Sequence, residues 1–308
     1  MQDKYMNDFS TILRKYRKEK NKTQLELVSD LSSCKINECQ KLDSCTYSRW
    51  ESGKTTPNLR KAAKILLMLG LSKEAEQVIF KGVKYRSEFE NLLGRKYGHI
   101  ACAGDIFYNT CTRNNIAEYT SKKECPEYFV KSYRHFFSKD NRDGLLEDEF
   151  NPKITLYTNK FNVPIGHIVI SMATKEQLDK TVYRTNLIKT EDNSSICIIA
   201  SQYAAQDNLL EKQLKLLQEW LCNNLDILEH VLYICSSNEA SKLLEKIGGR
   251  VSSFGPQTNA NQGLKYSTKN YEWLAYSFQP IDLIVAIITI RAFMFKKATK
   301  AHIVNNHH

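Results

Sequence analysis

Ser44-Cys45-Thr46-Tyr47-Ser48-Arg49-Trp50-Glu51-Ser52-Gly53-Lys54-Thr55-Thr56-Pro57 is the stretch that decides how the first part of this chain folds. Tyr47 and Trp50 stand at i and i+3, so both rings lie on one side of a short helix and can anchor it to a small core. Ser44, Cys45, Thr46 and Arg49 are left to project outward, and Gly53 followed by Pro57 ends the helix. Toward the N-terminus, Phe9, Ile12, Leu13 and Tyr16 recur at i, i+3, i+4 and i+7, the apolar face of a first helix. Thr23-Gln24-Leu25-Glu26 is a capping box that opens a second helix burying Leu27, Val28 and Leu31. Toward the C-terminus, Asn58 caps a segment with Leu59, Ala62, Ala63, Leu66 and Leu69 on one side, stopped by Gly70. Residues 71–97 read as helical and basic, a connector.

Charge separates the same region from the rest. The chain carries 44 Lys/Arg against 34 Asp/Glu in 308 residues, a formal +10. Residues 1–100 hold 20 of those cations and 12 of the anions, a net +8, so the remainder is close to neutral. A basic N-terminal third points to a polyanion, and nucleic acid is the usual one. With 42% hydrophobic and 25% charged residues, the composition excludes a wholly disordered chain. No secretory signal opens the chain and no stretch reaches the ~18–20 apolar residues of a membrane span, so a cytoplasmic protein is expected, with no membrane partner. The nine cysteines are then expected to be reduced thiols. Cys34, Cys39 and Cys45 have spacings too wide for a structural zinc site and no fourth ligand nearby, so no metal is expected.

From about Ile100 the periodicity changes. Short runs rich in Ile, Val and Tyr appear at 153–157, 164–172, 195–200, 230–235 and 271–278. Helices fall at 209–221 and 239–247. Strands alternating with helices predict an α/β or α+β mixed sheet. The last thirty residues form an apolar segment with a basic end. Its core, Ile281–Phe295, carries apolar residues on nearly every helical face and is expected to be buried, against the domain or a second copy.

Thr23–Leu27, Thr46–Lys54 and Pro57 resemble the Cro/repressor (XRE) type of helix-turn-helix. The resemblance implies a double-stranded DNA operator as partner. Ser44, Cys45, Thr46 and Arg49 would then face the major groove, where an arginine can grip a guanine in two places, with Gln24 and Lys54 on phosphates. A homodimer is expected, because paired modules read half-sites about one helical turn apart. One departure stands out: Ser32 to Asp43 separates the second and third helices by about ten residues more than the family's turn.

Residues 100–278 resemble a diverged member of the GNAT acyltransferase superfamily, on the order of Pro164–Met172, Ile196–Ala200, the loop and helix that follow, Val231–Ala240, Leu244–Gly248 and Tyr271–Phe278. The resemblance implies an acyl-CoA site at Ser201, Gln202, Gln206, Asn208 and Asn238. In such enzymes a glycine-bearing loop at a helix N-terminus holds the pyrophosphate of coenzyme A. Here Gln202–Asn208 has no glycine, Ala204 and Ala205 narrow the approach and Asp207 is acidic. The family's tyrosine acid is replaced by Leu244, and Glu191 or Asp192 are only distant stand-ins for a base. No catalytic residue is assigned and no cofactor is expected. The fold class expected is multidomain: an all-α helix-turn-helix domain at 1–70, a helical connector at 71–99, a GNAT-like mixed α/β (α+β) sheet domain at 100–279, and a C-terminal apolar helix at 280–308 serving oligomerisation or the core. The expected function is a sequence-specific DNA-binding transcription regulator. Its GNAT-like domain would sense a small-molecule or acyl ligand, dimerise, or both, without acetyltransferase activity. The alternative is an active acyl-CoA-dependent N-acyltransferase with a fused DNA-binding domain. His167, mid-strand in an apolar run, reads as a core histidine, and Tyr128, Phe129, Tyr133, Phe136 and Phe137 as a buried aromatic face.

Overall fold

The computed structural model describes residues 3–33, 39–83, 115–137, 142–183, 193–205, 207–259 and 262–305. It consists of an N-terminal all-helical region followed by a mixed α/β sheet domain. Two compact units emerge, one of Met1–Tyr85 with Ile284–His308, the other of Arg86–Leu283.

The helical unit contains α1 (Asp3–Glu19), α2 (Gln24–Ser33), α3 (Ser44–Glu51), α4 (Leu59–Met68) and α5 (Ser72–Gly82). Their ends follow the local chemistry read from the sequence. Thr23 and Glu26 form the capping box, with Thr23 N–H donating to Glu26 Oε2 at 2.7 Å and Glu26 N–H to Thr23 Oγ1 at 3.2 Å. Asn58 caps α4 through the amide of Lys61 as expected, and Asp43, a cap that escaped the sequence reading, holds α3 through the amide of Thr46. Gly53 and Gly70, with φ of +73° and +74°, take the left-handed backbone that closes a helix without a Cβ clash. Phe9, Leu13, Leu27, Leu31, Tyr47, Ile65, Leu66 and Ile79 fill the core. In the stretch expected as a helical connector from residue 71, α5 buries Ala75, Val78 and Ile79 and groups with this unit. The rest of the expected connector, from residue 84, lies outside the described residues.

The sheet unit orders its seven strands β1-β2-β3-β4-β5-β9-β6. They are β1 (Asn115–Tyr119), β2 (Lys153–Thr158), β3 (Pro164–Thr174), β4 (Ser195–Ala204), β5 (Leu228–Cys235), β6 (Arg250–Phe254) and β9 (Leu274–Phe278), while β7 (Leu264–Tyr266) and β8 (Lys269–Tyr271) make a separate hairpin. Among the described strands only β4 and β5 pair in parallel. Among the described residues this part of the chain holds four α-helices: α6 (Glu127–Phe137), α7 (Lys175–Asp179), α8 (Asp207–Asn223) and α9 (Asn238–Lys246). Alternation along the strands separates the two faces. Ile154, Leu156, Val169, Ile196, Ile198 and Ala200 join Phe129 and Tyr133 of α6 and Trp273 in one cluster. On the opposite face a Cβ on Gly166 would lie 2.7 Å from Leu209 of α8, so helix and strand meet where only glycine fits.

The last helix, α10 (Pro280–Asn305), follows β9 after a single residue. Between Ile281 and Phe293 most of its apolar side chains are buried, Ile284, Ile288 and Ala292 completely, whereas Phe295, expected to be covered with them, is exposed. The sequence sets 280–308 apart, whereas the structure assigns Ile284 onward to the helical unit. Among the described residues no helix is long and apolar enough to cross a membrane.

Candidate functional site

The helical unit presents α3 as a two-sided element. Tyr47, Trp50 and Glu51 are buried, and Phe9 meets Trp50 edge-on with ring centroids 6.4 Å apart. Glu51 is 3% exposed and ties three helices together. Its carboxylate accepts Arg17 Nε from α1 at 2.7 Å and the Gln24 side-chain amide from α2, while its carbonyl accepts Arg14 Nη2 at 2.9 Å. That ion pair raises the Arg17 pKa above its ordinary value. A carboxylate so enclosed needs this many donors. On the outer side Ser44, Cys45 and Arg49 are exposed, and Lys54 follows beyond Gly53.

Two of the six residues expected on DNA have internal partners. The Thr46 hydroxyl donates to Asp43 Oδ2 at 2.8 Å and its amide to Oδ1 at 2.7 Å, so Thr46 completes the helix cap and holds the Asp43 carboxyl below its usual range. The Gln24 amide is directed to Glu51. Glu51 itself escaped the sequence reading. Its spacing from Arg17 is visible only once α1 and α3 are brought together, although a glutamate on the apolar side of α3 is a signal. The long α2–α3 connection brings Cys39 and Leu42 into the core, and Cys34 lies outside the described residues. Among the described residues no group of His, Cys, Asp and Glu could hold a metal ion.

In the sheet unit the central strands part. β4 pairs with β5 from Ser195/Leu228 to Ile199/Tyr233. Beyond that point β4 continues only along β3, with an irregularity opposite Val169/Ile170, and β5 only along β9. At the irregularity the Ala200 carbonyl accepts buried Arg142 Nη1 at 3.1 Å. Two of the residues expected at an acyl-CoA site, Ser201 and Gln202, lie on β4 past that point. Ser201 bonds His167 Nε2 at 3.0 Å, and Gln202 Oε1 accepts the Tyr233 hydroxyl at 2.8 Å. Asn208 and Asn238 are exposed in the first turns of α8 and α9, and Gln206 lies outside the described residues, as do Glu191 and Asp192. The loop amide of Ala205 already donates to the Ile165 carbonyl at 2.9 Å. Ala204 and Ala205 are buried in the fold and do not line an approach from solvent, so Asp207 and the occupied amide are what oppose a phosphate.

Leu244 is buried, and the tyrosine hydroxyl that reaches this helix comes from a different element. Tyr276 of β9 is held by Ser241 at 2.7 Å and donates to Glu245 Oε1 at 2.9 Å, and burial raises its pKa, keeping the phenol protonated. His167 sits among Phe129, Tyr133 and Tyr203, with ring centroids 5.6–6.1 Å away, and burial pulls its pKa down to about 4. Phe129 and Tyr133 of α6 are thus packed onto a neutral histidine, whereas Tyr128, expected on the same buried face, is exposed, and the Phe136 side chain lies outside the described residues. A cleft of about 700 Å³ elsewhere in this unit is lined by Lys122, Cys125, Val130, Glu147 and neighbours. Burial pushes the Cys125 thiol up to about 11, so it stays protonated and unreactive near neutrality.

No protein-family profile and no characterised protein matches the sequence. Among solved structures, the chain has a likeness to an N-acetyltransferase from Staphylococcus aureus Mu50, at 12% identity and a TM-score of 0.29, covering 55% of this chain and 99% of that one.

Proposed function

We propose that this chain is a sequence-specific DNA-binding transcription regulator of the Cro/repressor type, carrying a GNAT-like sheet domain that senses a ligand or dimerises and does not transfer acyl groups. The observation that carries the reading is α3. Its inner side is fixed by Tyr47, Trp50 and the Glu51 bonds, and its outer side offers Ser44, Cys45 and Arg49 to solvent. A helix held so firmly, within a region of net +8, is suited to reading base edges while Lys54 meets a phosphate. A double-stranded operator with two half-sites and a homodimeric protein follow from that mode of docking.

Selection from a random duplex pool tests it. A shared sequence is expected among the recovered sites. Arg49→Ala should cost about 1–3 kcal/mol on that sequence and relax discrimination, whereas Lys54→Ala should weaken all sequences alike and flatten the salt dependence. Recovered sites without any common sequence would refute the reading.

The alternative, an acyl-CoA-dependent N-acyltransferase, is favoured by the parting of β4 from β5 and by an element order that follows the resemblance. Against it stand the bonded Ala205 amide, the exposed Asp207 and the buried Leu244. Calorimetry with acetyl- and longer acyl-CoA is expected to show no binding. Micromolar binding, with turnover abolished by Asn238→Ala, would promote the enzyme.

A further inference from the structure

We propose that DNA binding by this chain is conditional on its own C-terminal helix: α10 docks on α5 as a built-in component of the DNA-binding unit. The inference rests on the DNA-binding reading above and adds what completes that unit. The contacts are specific. Arg291, 5% exposed, places Nη1 2.9 Å from Glu76 Oε1 and its guanidinium over the Phe80 ring at 5.8 Å. Phe80 and Phe295 have centroids 5.8 Å apart, and Lys296 Nζ donates to the Val83 carbonyl. One turn or more earlier, Ile284, Ile287 and Ile288 are buried.

From α5 the contacts run on to α3. Lys81 of α5 pairs with Asp8 of α1 at 2.6 Å. Phe9, Arg14 and Arg17 of α1 hold Trp50 and Glu51 of α3. The face of α5 that takes α10 is therefore two packed helices away from the side chains offered to DNA, and each step is a defined contact. A truncated N-terminal segment would expose Phe80 and leave Glu76 without the arginine it pairs with. Its helices would open locally more often.

The test uses the full chain. Ile288→Asp places a charge where α10 is fully buried, and Arg291→Met with Glu76→Gln removes the ion pair while keeping bulk. Amide hydrogen exchange is read on α1–α5 and on β3–β5, together with affinity for the selected operator. Exchange in α1–α5 should rise about tenfold or more with β3–β5 unchanged, and operator affinity should fall by a similar factor. Exchange confined to α10, with α1–α5 protection and operator affinity intact, overturns the proposal. A wild-type chain that binds no DNA sinks the DNA-binding reading and this dependence with it. The exchange data then still show whether α10 completes the helical unit.

Discussion

His167 has been given an environment that only its neutral form tolerates. Phe129, Tyr133 and Tyr203 surround the ring, Nε2 meets the Ser201 hydroxyl, and burial brings the pKa from 6.5 to about 4. In the unfolded chain the same ring would titrate near 6.5, so below that value the unfolded state binds a proton that the folded state refuses. The resulting contribution to stability is fully present above pH 6.5 and is lost as pH falls from 6.5 to 4, by about 1.4 kcal/mol for each unit. Urea unfolding of the full chain between pH 7 and 4 should show that slope, and His167→Gln should flatten it. An unchanged slope in the variant would assign the acid sensitivity to other groups. The histidine was legible in the sequence as a core residue because it stands in an apolar run. Its serine was not, because Ser201 lies on another strand, and pairing register is invisible in one sequence.

At the scale of elements, what the sequence carried clearly was whatever local chemistry decides. The capping box at Thr23, the Asn58 cap and the stops at Gly53 and Gly70 all act over three or four residues; α2 begins, α3 ends, and α4 both begins and ends at them. The five short runs rich in Ile, Val and Tyr became β2, β3, β4, β5 and β9. The short strands β1, β6, β7 and β8 escaped, since three to five residues with mixed burial give no period to read. Gly166 belongs to this scale as well. Nothing around it in the sequence demands glycine, yet an added Cβ would stand 2.7 Å from Leu209 Cδ2 and 2.9 Å from the Tyr203 carbonyl. Gln213 Nε2, which bonds that same carbonyl at 2.7 Å, would be 3.0 Å away. Gly166→Ala should therefore push α8 from β3 and β4 and cost about 1–3 kcal/mol, measured as a fall in unfolding midpoint. A midpoint equal to wild type would mean that Leu209 swings aside without loss.

The whole molecule is organised by a fact no local pattern carries, that the helical unit is made from both ends of the chain. Periodicity announced the apolar helix after Gln279 and its need for cover, but a helix apolar on every face does not say which surface covers it. The consequence appears in the order of folding. Closing the helical unit requires Ile284 onward to find α5 across the intervening Arg86–Leu283. Unfolded, a segment of that length, about 200 residues, has a radius of gyration of about 48 Å; folded, about 16 Å. A collapsed intervening unit is the shorter tether, and closing a shorter loop costs less entropy. The sheet unit does not depend on the chain ends in this way, so it should fold first. Pulse-labelling hydrogen exchange during refolding should then show β3–β5 amides protected before those of α10 and α5, with the later phase slowed when Arg291 is replaced. Simultaneous protection of both sets, or α5 and α10 leading, would mean that the ends meet in the unfolded chain and that the helical unit nucleates on its own.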